Sequence, residues 1–222
     1  MTDSFFFRGA ILALACATAA CVDGDGPVGP SDEVAPQFTL SHEFNATNQT
    51  TTTIPGSVTD SVGVVRVTVR VNGGTEQPVT ITPGTTVAFS ATIPVPAAVN
   101  VVEFAAYDAA GNRGSETMEV RYDVTPPEFS VGGLANGGPF SSFFRVDGAA
   151  TDVSSGVRRA TYSVNGGAEQ PITGGYYSSS PSVYAFRTDL YGLPMGQSTL
   201  VVYVYDRAGN RGQLQATITR VQ

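Results

Sequence analysis

A chain of 222 residues, 41% of them apolar, can bury more than one small core, while a net charge of −7 argues against nucleic acid or anionic lipid as partners, since both are bound by clustered cations. All 12 basic residues are Arg and only one His is present, which excludes lysine-based catalysis and metal sites built on His and Cys. Both cysteines, Cys16 and Cys21, lie near the N-terminus, so no disulfide can staple the chain beyond them.

The first element is a leader. After Arg8, the apolar and small-residue run from Gly9 to Ala20 has the length of a secretory core and is too short for a permanent membrane span, so residues 1–21 read as an export signal. The ending Thr18-Ala19-Ala20-Cys21 resembles a bacterial lipoprotein signal, which implies a lipid on Cys21, attachment to a membrane and a periplasmic or cell-surface location. The alternative is an ordinary signal cut within Ala17-Thr18-Ala19-Ala20, leaving Cys21 as a lone thiol in an oxidising compartment. Residues 22–35, rich in Gly, Pro and Asp, read as a flexible tether spanning roughly 20 Å.

Everything after the tether is written twice. Gly63-Val64-Val65-Arg66 through Val71-Asn72-Gly73-Gly74 returns as Gly156-Val157-Arg158-Arg159 through Val164-Asn165-Gly166-Gly167, and Tyr107-Asp108-Ala109-Ala110-Gly111-Asn112-Arg113-Gly114 returns as Tyr205-Asp206-Arg207-Ala208-Gly209-Asn210-Arg211-Gly212. A period of about ninety residues suits a small all-β module, so modules are expected at 36–123 and 124–222. Within them, apolar residues alternate with polar ones, and no segment has a helical period. Val65, Val67, Val69 and Val71 are expected on one strand face, with Val102, Phe104 and Ala106 facing inward on a later strand and Glu103 outward. Asn72-Gly73-Gly74 and Asn165-Gly166-Gly167 are hairpin turns, and Asp108 and Asp206 open type I turns.

Thr59-Asp60 with Gly63-Val64, Thr151-Asp152 with Gly156-Val157, the Val-Asn-Gly-Gly hairpins and the Tyr-Asp-x-Ala-Gly-Asn turns together resemble bacterial Ig-like domains, the tandem modules of exported adhesins, lipoproteins and surface enzymes. The resemblance implies an all-β fold of two tandem Ig-like β-sandwiches, joined through Asp123-Val124-Thr125-Pro126-Pro127. Unlike antibody domains, the chain has no Trp and no core cysteine pair.

No nucleophile, base and oxyanion constellation emerges, and a lone His42 on an early strand does not make one, so a non-catalytic role is expected. Asp123, Asp152 and Asp206 would meet at the entry end of the second sandwich, and with Asn210 they form a candidate Ca²⁺ set. The competing reading is that each Asp caps its own turn. Asp60, matched to Asp152, is expected to stay outside any such response because it faces the tether. Tyr176, Tyr177 and Tyr184, in a Gly/Ser-rich segment without an aromatic counterpart in the first repeat, together with Tyr203 and Tyr205, form a candidate surface for a protein or glycan. The competing reading there is that these rings shield a sheet face. Two functions from different classes are therefore expected, a lipid-anchored Ig-like spacer or adhesion module and, as its alternative, an accessory carbohydrate-binding protein.

Overall fold

The computed structural model describes residues 32–41, 45–134, 139–177 and 183–222, so the leader with Cys21 and also His42 lie outside the described residues. Asp32–Gln222 form one compact unit, in which every regular element among the described residues is a β-strand. The fold is an all-β, Ig-like sandwich architecture.

In the first repeat the strands are β1 (Gln37–Leu40), β2 (Ala46–Thr47), β3 (Thr51–Val71), β4 (Gln77–Val79), β5 (Gly84–Pro94), β6 (Val99–Asp108) and β7 (Arg113–Tyr122). The first part of β3 pairs with β1 and β5, while its last part pairs with β4 and β6, and β6 pairs with β7. One long strand thus serves both layers of the sandwich. In the second repeat the same path is cut into β8 (Glu128–Gly132), β9 (Phe143–Thr151), β10 (Val157–Val164), β11 (Gln170–Pro171), β12 (Tyr176–Tyr177), β13 (Val183–Tyr191), β14 (Gly196–Asp206) and β15 (Arg211–Arg220). Its layers are β12-β13-β9-β8 and β11-β10-β14-β15. A short parallel pairing recurs too, as Ala46 and Thr47 beside β7 and as Phe140 beside Arg220.

Each repeat has its own apolar cluster. The first includes Ile54, Val67, Val102 and Phe104, and the second Val146, Phe186, Leu200 and Ile218. The alternation expected for β6 holds, with Val102, Phe104 and Ala106 fully buried. The alternation expected for the end of β3 needs one correction. Register shifts between Val64 and Arg66, so Val64 is the core residue and Val65 is 48% exposed. A bulge inserts one extra residue and turns the side chains after it to the opposite face, which plain alternation does not reveal. The second repeat shifts at the matched place, between Val157 and Arg159.

The hairpins form as expected. Asn72 (φ 52°) and Gly73 (φ 69°) both take the left-handed region, and Gly74 N–H closes the turn on Val71 O at 2.9 Å. Asn is favoured over Gly at the first position because its Oδ1 also accepts from Val101 N–H at 2.8 Å, tying the turn to β6; Asn165 does the same with Thr199 N–H at 2.8 Å.

Candidate functional site

The entry end of each repeat is built on an aspartate that ends a strand and an asparagine four residues later. Asp108 ends β6 and takes Asn112 N–H at 2.8 Å on Oδ1 and Asn112 Nδ2–H at 2.8 Å on Oδ2. In the second repeat Asp206 takes Gly209 N–H at 2.6 Å and Asn210 N–H at 2.7 Å on Oδ1, and Asn210 Nδ2–H at 2.7 Å on Oδ2. The asparagine amide then reaches the chain that enters the repeat. Asn112 Nδ2 donates to Asp32 O at 2.8 Å, and Asn210 Nδ2 donates to Asp123 O at 2.8 Å and to Thr125 O at 3.4 Å. The last residues of the expected tether, 32–35, therefore lie against the Asn112 turn.

A third aspartate precedes the matched glycines Gly63 and Gly156. Asp60 Oδ1 accepts from Val62 N–H and Gly63 N–H, both at 2.9 Å, and Asp152 Oδ1 accepts from Ser155 N–H and Gly156 N–H, both at 2.8 Å. One carboxylate oxygen from each of Asp123, Asp152 and Asp206 lies within 4.8 Å of the others, and the same is true of Asp32, Asp60 and Asp108. The three aspartates singled out in the second repeat are thus brought together. Their counterparts in the first repeat are brought together equally.

Asn210 does not serve as an oxygen ligand in this arrangement. Its Nδ2 faces Asp206 and the entering carbonyls, and its Oδ1 accepts from Asn48 Nδ2–H at 3.1 Å, a contact from the first repeat. It is a hydrogen-bond donor to the cluster. Burial pushes the Asp206 carboxyl above the ordinary Asp range despite the bonds from Asn210, with the nearby Asp123 charge adding to the rise. For Asp108 burial also pushes upward, but the Asn112 side-chain and backbone bonds outweigh it and hold the group below that range.

Sequence reasoning missed Asp32. Its signal was an Asp four residues before a Pro at the start of each repeat, Asp32 with Pro36 and Asp123 with Pro127. Nothing periodic marks such a pair, because the entering segment is not a strand.

The candidate tyrosines do not share one face. Tyr176, Tyr177 and Tyr184 belong to the β12-β13-β9-β8 layer, while Tyr203 and Tyr205 stand on β14 in the other. Tyr184 must be corrected to a core residue, 7% exposed and in edge contact with the Tyr177 ring. The Gly/Ser-rich composition around it suggested an exposed recognition loop, but β13 turns that position inward beside Phe186. Tyr177 donates its hydroxyl to Val157 O, which leaves Tyr176 as the most exposed of the five. Tyr203 and Tyr205 are covered by guanidinium groups, Arg211 at 4.7 Å and Arg159 at 4.1 Å from the ring centroids, and Tyr205 O–H also bonds Glu169 at 2.9 Å. Arg66 over Tyr107 at 3.7 Å is the same device in the first repeat.

No family model and no curated protein matches the chain. Solved structures of similar fold include fibronectin(III)-like modules of Clostridium thermocellum CbhA, at 16% identity and a TM-score of 0.46, covering 83% of this chain and 95% of that one. Dimeric latent PorU from Porphyromonas gingivalis is similar at 14% identity and a TM-score of 0.41, covering 85% of this chain and 24% of that one. A chimeric titin Z1Z2 carrying a decorin peptide is similar at 17% identity and a TM-score of 0.37, covering 85% of this chain and 97% of that one.

Proposed function

We propose that the chain is an exported bacterial lipoprotein whose two Ig-like modules, 36–123 and 124–222, act as a non-catalytic spacer or interaction module held at a membrane through Cys21. The observation that carries the reading is the Asn210 clamp. A buried amide that holds the entering segment of the second repeat and also meets Asn48 of the first fixes a joint by hydrogen bonds. Such a joint suits a protein that presents a partner-binding surface at a set distance and angle. Domains joined only by a flexible linker would move independently. A protein ligand fits this role better than a glycan, because the tyrosines on which glycan binding would depend are divided between two layers and largely engaged.

The anchor has a direct test. Cys21→Ser is expected to abolish incorporation of a labelled lipid precursor and to move the protein from the membrane to the soluble fraction. Unchanged membrane partitioning of that variant would remove Cys21 from the account.

A further inference from the structure

The two aspartate clusters are alike in backbone and differ in how their oxygens are satisfied. In the second repeat, Asp123 Oδ1 accepts from Thr125 N–H at 2.9 Å and Asp123 Oδ2 from Ser155 Oγ–H at 2.6 Å, while Asp206 has donors on both oxygens. The Ser155 hydroxyl supplies a proton donor in the middle of that group. Its counterpart before the matched glycine of the first repeat is Val62, which has no donor to give. Among the described residues, Asp32 Oδ2 and Asp60 Oδ2 are buried with no hydrogen-bond partner, and Asp60 as a whole is only 8% exposed.

A buried carboxylate oxygen without a donor is costly, and two in one cluster of three like charges compound the cost. A bound cation removes both penalties together, since it supplies the missing electrostatic partner and cancels the repulsion among the carboxylates. Oxygens that share one Ca²⁺ at 2.3–2.6 Å stand at most about 5 Å apart, and one carboxylate oxygen from each of Asp32, Asp60 and Asp108 lies within 4.8 Å of the others. All three donors are hard carboxylates, which suit Ca²⁺ and not a soft transition metal. We propose that Asp32, Asp60 and Asp108 of the first repeat hold a divalent cation of the Ca²⁺ type, pinning the end of the tether to the Asn112 turn. The second repeat fulfils the same task with Ser155. This inference stands on the cluster alone, and it reverses the expectation that Asp60 plays no part in a Ca²⁺ response.

Calorimetric titration of the full chain with CaCl₂, paired with thermal melts in Ca²⁺ and in chelator, tests it. The wild type is expected to bind Ca²⁺ and, at a concentration a hundredfold above Kd, to melt on the order of 10 °C higher than in chelator. Asp60→Asn is expected to remove one equivalent of binding or weaken it at least tenfold, whereas Asp152→Asn in the matched cluster leaves that equivalent in place. Asp32→Asn, which alters only the entering segment, serves as a second variant if Asp60→Asn does not fold, with the same loss expected. The proposal is overturned if the wild type shows neither heat nor a melting shift with Ca²⁺, as it would if the two orphan oxygens shared a proton. It is equally overturned if Asp152→Asn abolishes the equivalent while Asp60→Asn or Asp32→Asn retains it.

Discussion

Phe104→Ala is expected to destabilise the first repeat by about 3–5 kcal/mol, a large share of the roughly 5–15 kcal/mol that holds a small domain together. The ring is fully buried at the centre of an aromatic group, 5.3 Å from Phe89 and 6.3 Å from Phe38 between centroids. Truncation therefore removes a transfer contribution and leaves a cavity that strands on both layers must close. Glu103→Ala, one residue earlier on the opposite face, is expected to cost about 0.5–1 kcal/mol. Glu103 is not silent, because it bonds both Arg113 and Arg70, and these two guanidinium groups hold its carboxyl below the ordinary Glu range. The pairs are partly exposed, so solvent screens them and the cost stays small. Chemical denaturation of both variants checks the ranking, and an equal or larger loss for Glu103→Ala would contradict the facing of β6.

Gly114→Ala is expected to cost about 1–3 kcal/mol and to loosen the entering segment at the same time. A Cβ at Gly114 would stand 1.9 Å from Pro36 O, and backbone on that side cannot move without withdrawing residues 32–35 from the Asn112 turn. The second repeat has a milder version of the same close approach. At Gly212 the added carbon would meet Pro127 O at 3.0 Å and the Phe129 ring at 2.9 Å, a softer contact with a side chain able to yield in part. Melting curves and proteolysis after the tether provide the check, with Gly114→Ala expected to be the more damaging of the two and earlier cutting near residues 32–36 as its signature. A Gly114→Ala protein as stable as the wild type would mean that the entering chain is not held there.

The strand pattern and the turns were legible because each rests on local chemistry. Asn72-Gly73 needs positive φ, and the polar alternation through Glu103 and Phe104 fixes two faces with a period of two. The position of Val65 was not legible, since a bulge changes the register without changing the composition. Gly56 and Gly148 were equally silent in the sequence. Each lies opposite a phenylalanine on the paired strand, Phe89 and Phe186, whose ring occupies the space a side chain would need. The convergence of Asp123, Asp152 and Asp206 could be read from the repeat and the topology of the fold. That Asp32 completes a second cluster could not, because its partners lie 28 and 76 residues away and the segment carrying it has the composition of a linker. Tyr184 shows the opposite failure, where a Gly/Ser-rich neighbourhood suggested exposure and strand pairing decided for the core.

The central claim is that hydrogen bonds from one asparagine set the joint between the repeats. Small-angle scattering of the wild type and of Asn210→Ala, each with circular dichroism to confirm that the strands persist, measures this directly. The variant loses the donor to Asp123 O, Thr125 O and Asp206 Oδ2 together with the acceptor for Asn48. A wild-type profile described by a single arrangement of the repeats, and an Asn210→Ala profile that requires a broad ensemble, is the predicted result; two superimposable profiles from folded proteins would contradict it.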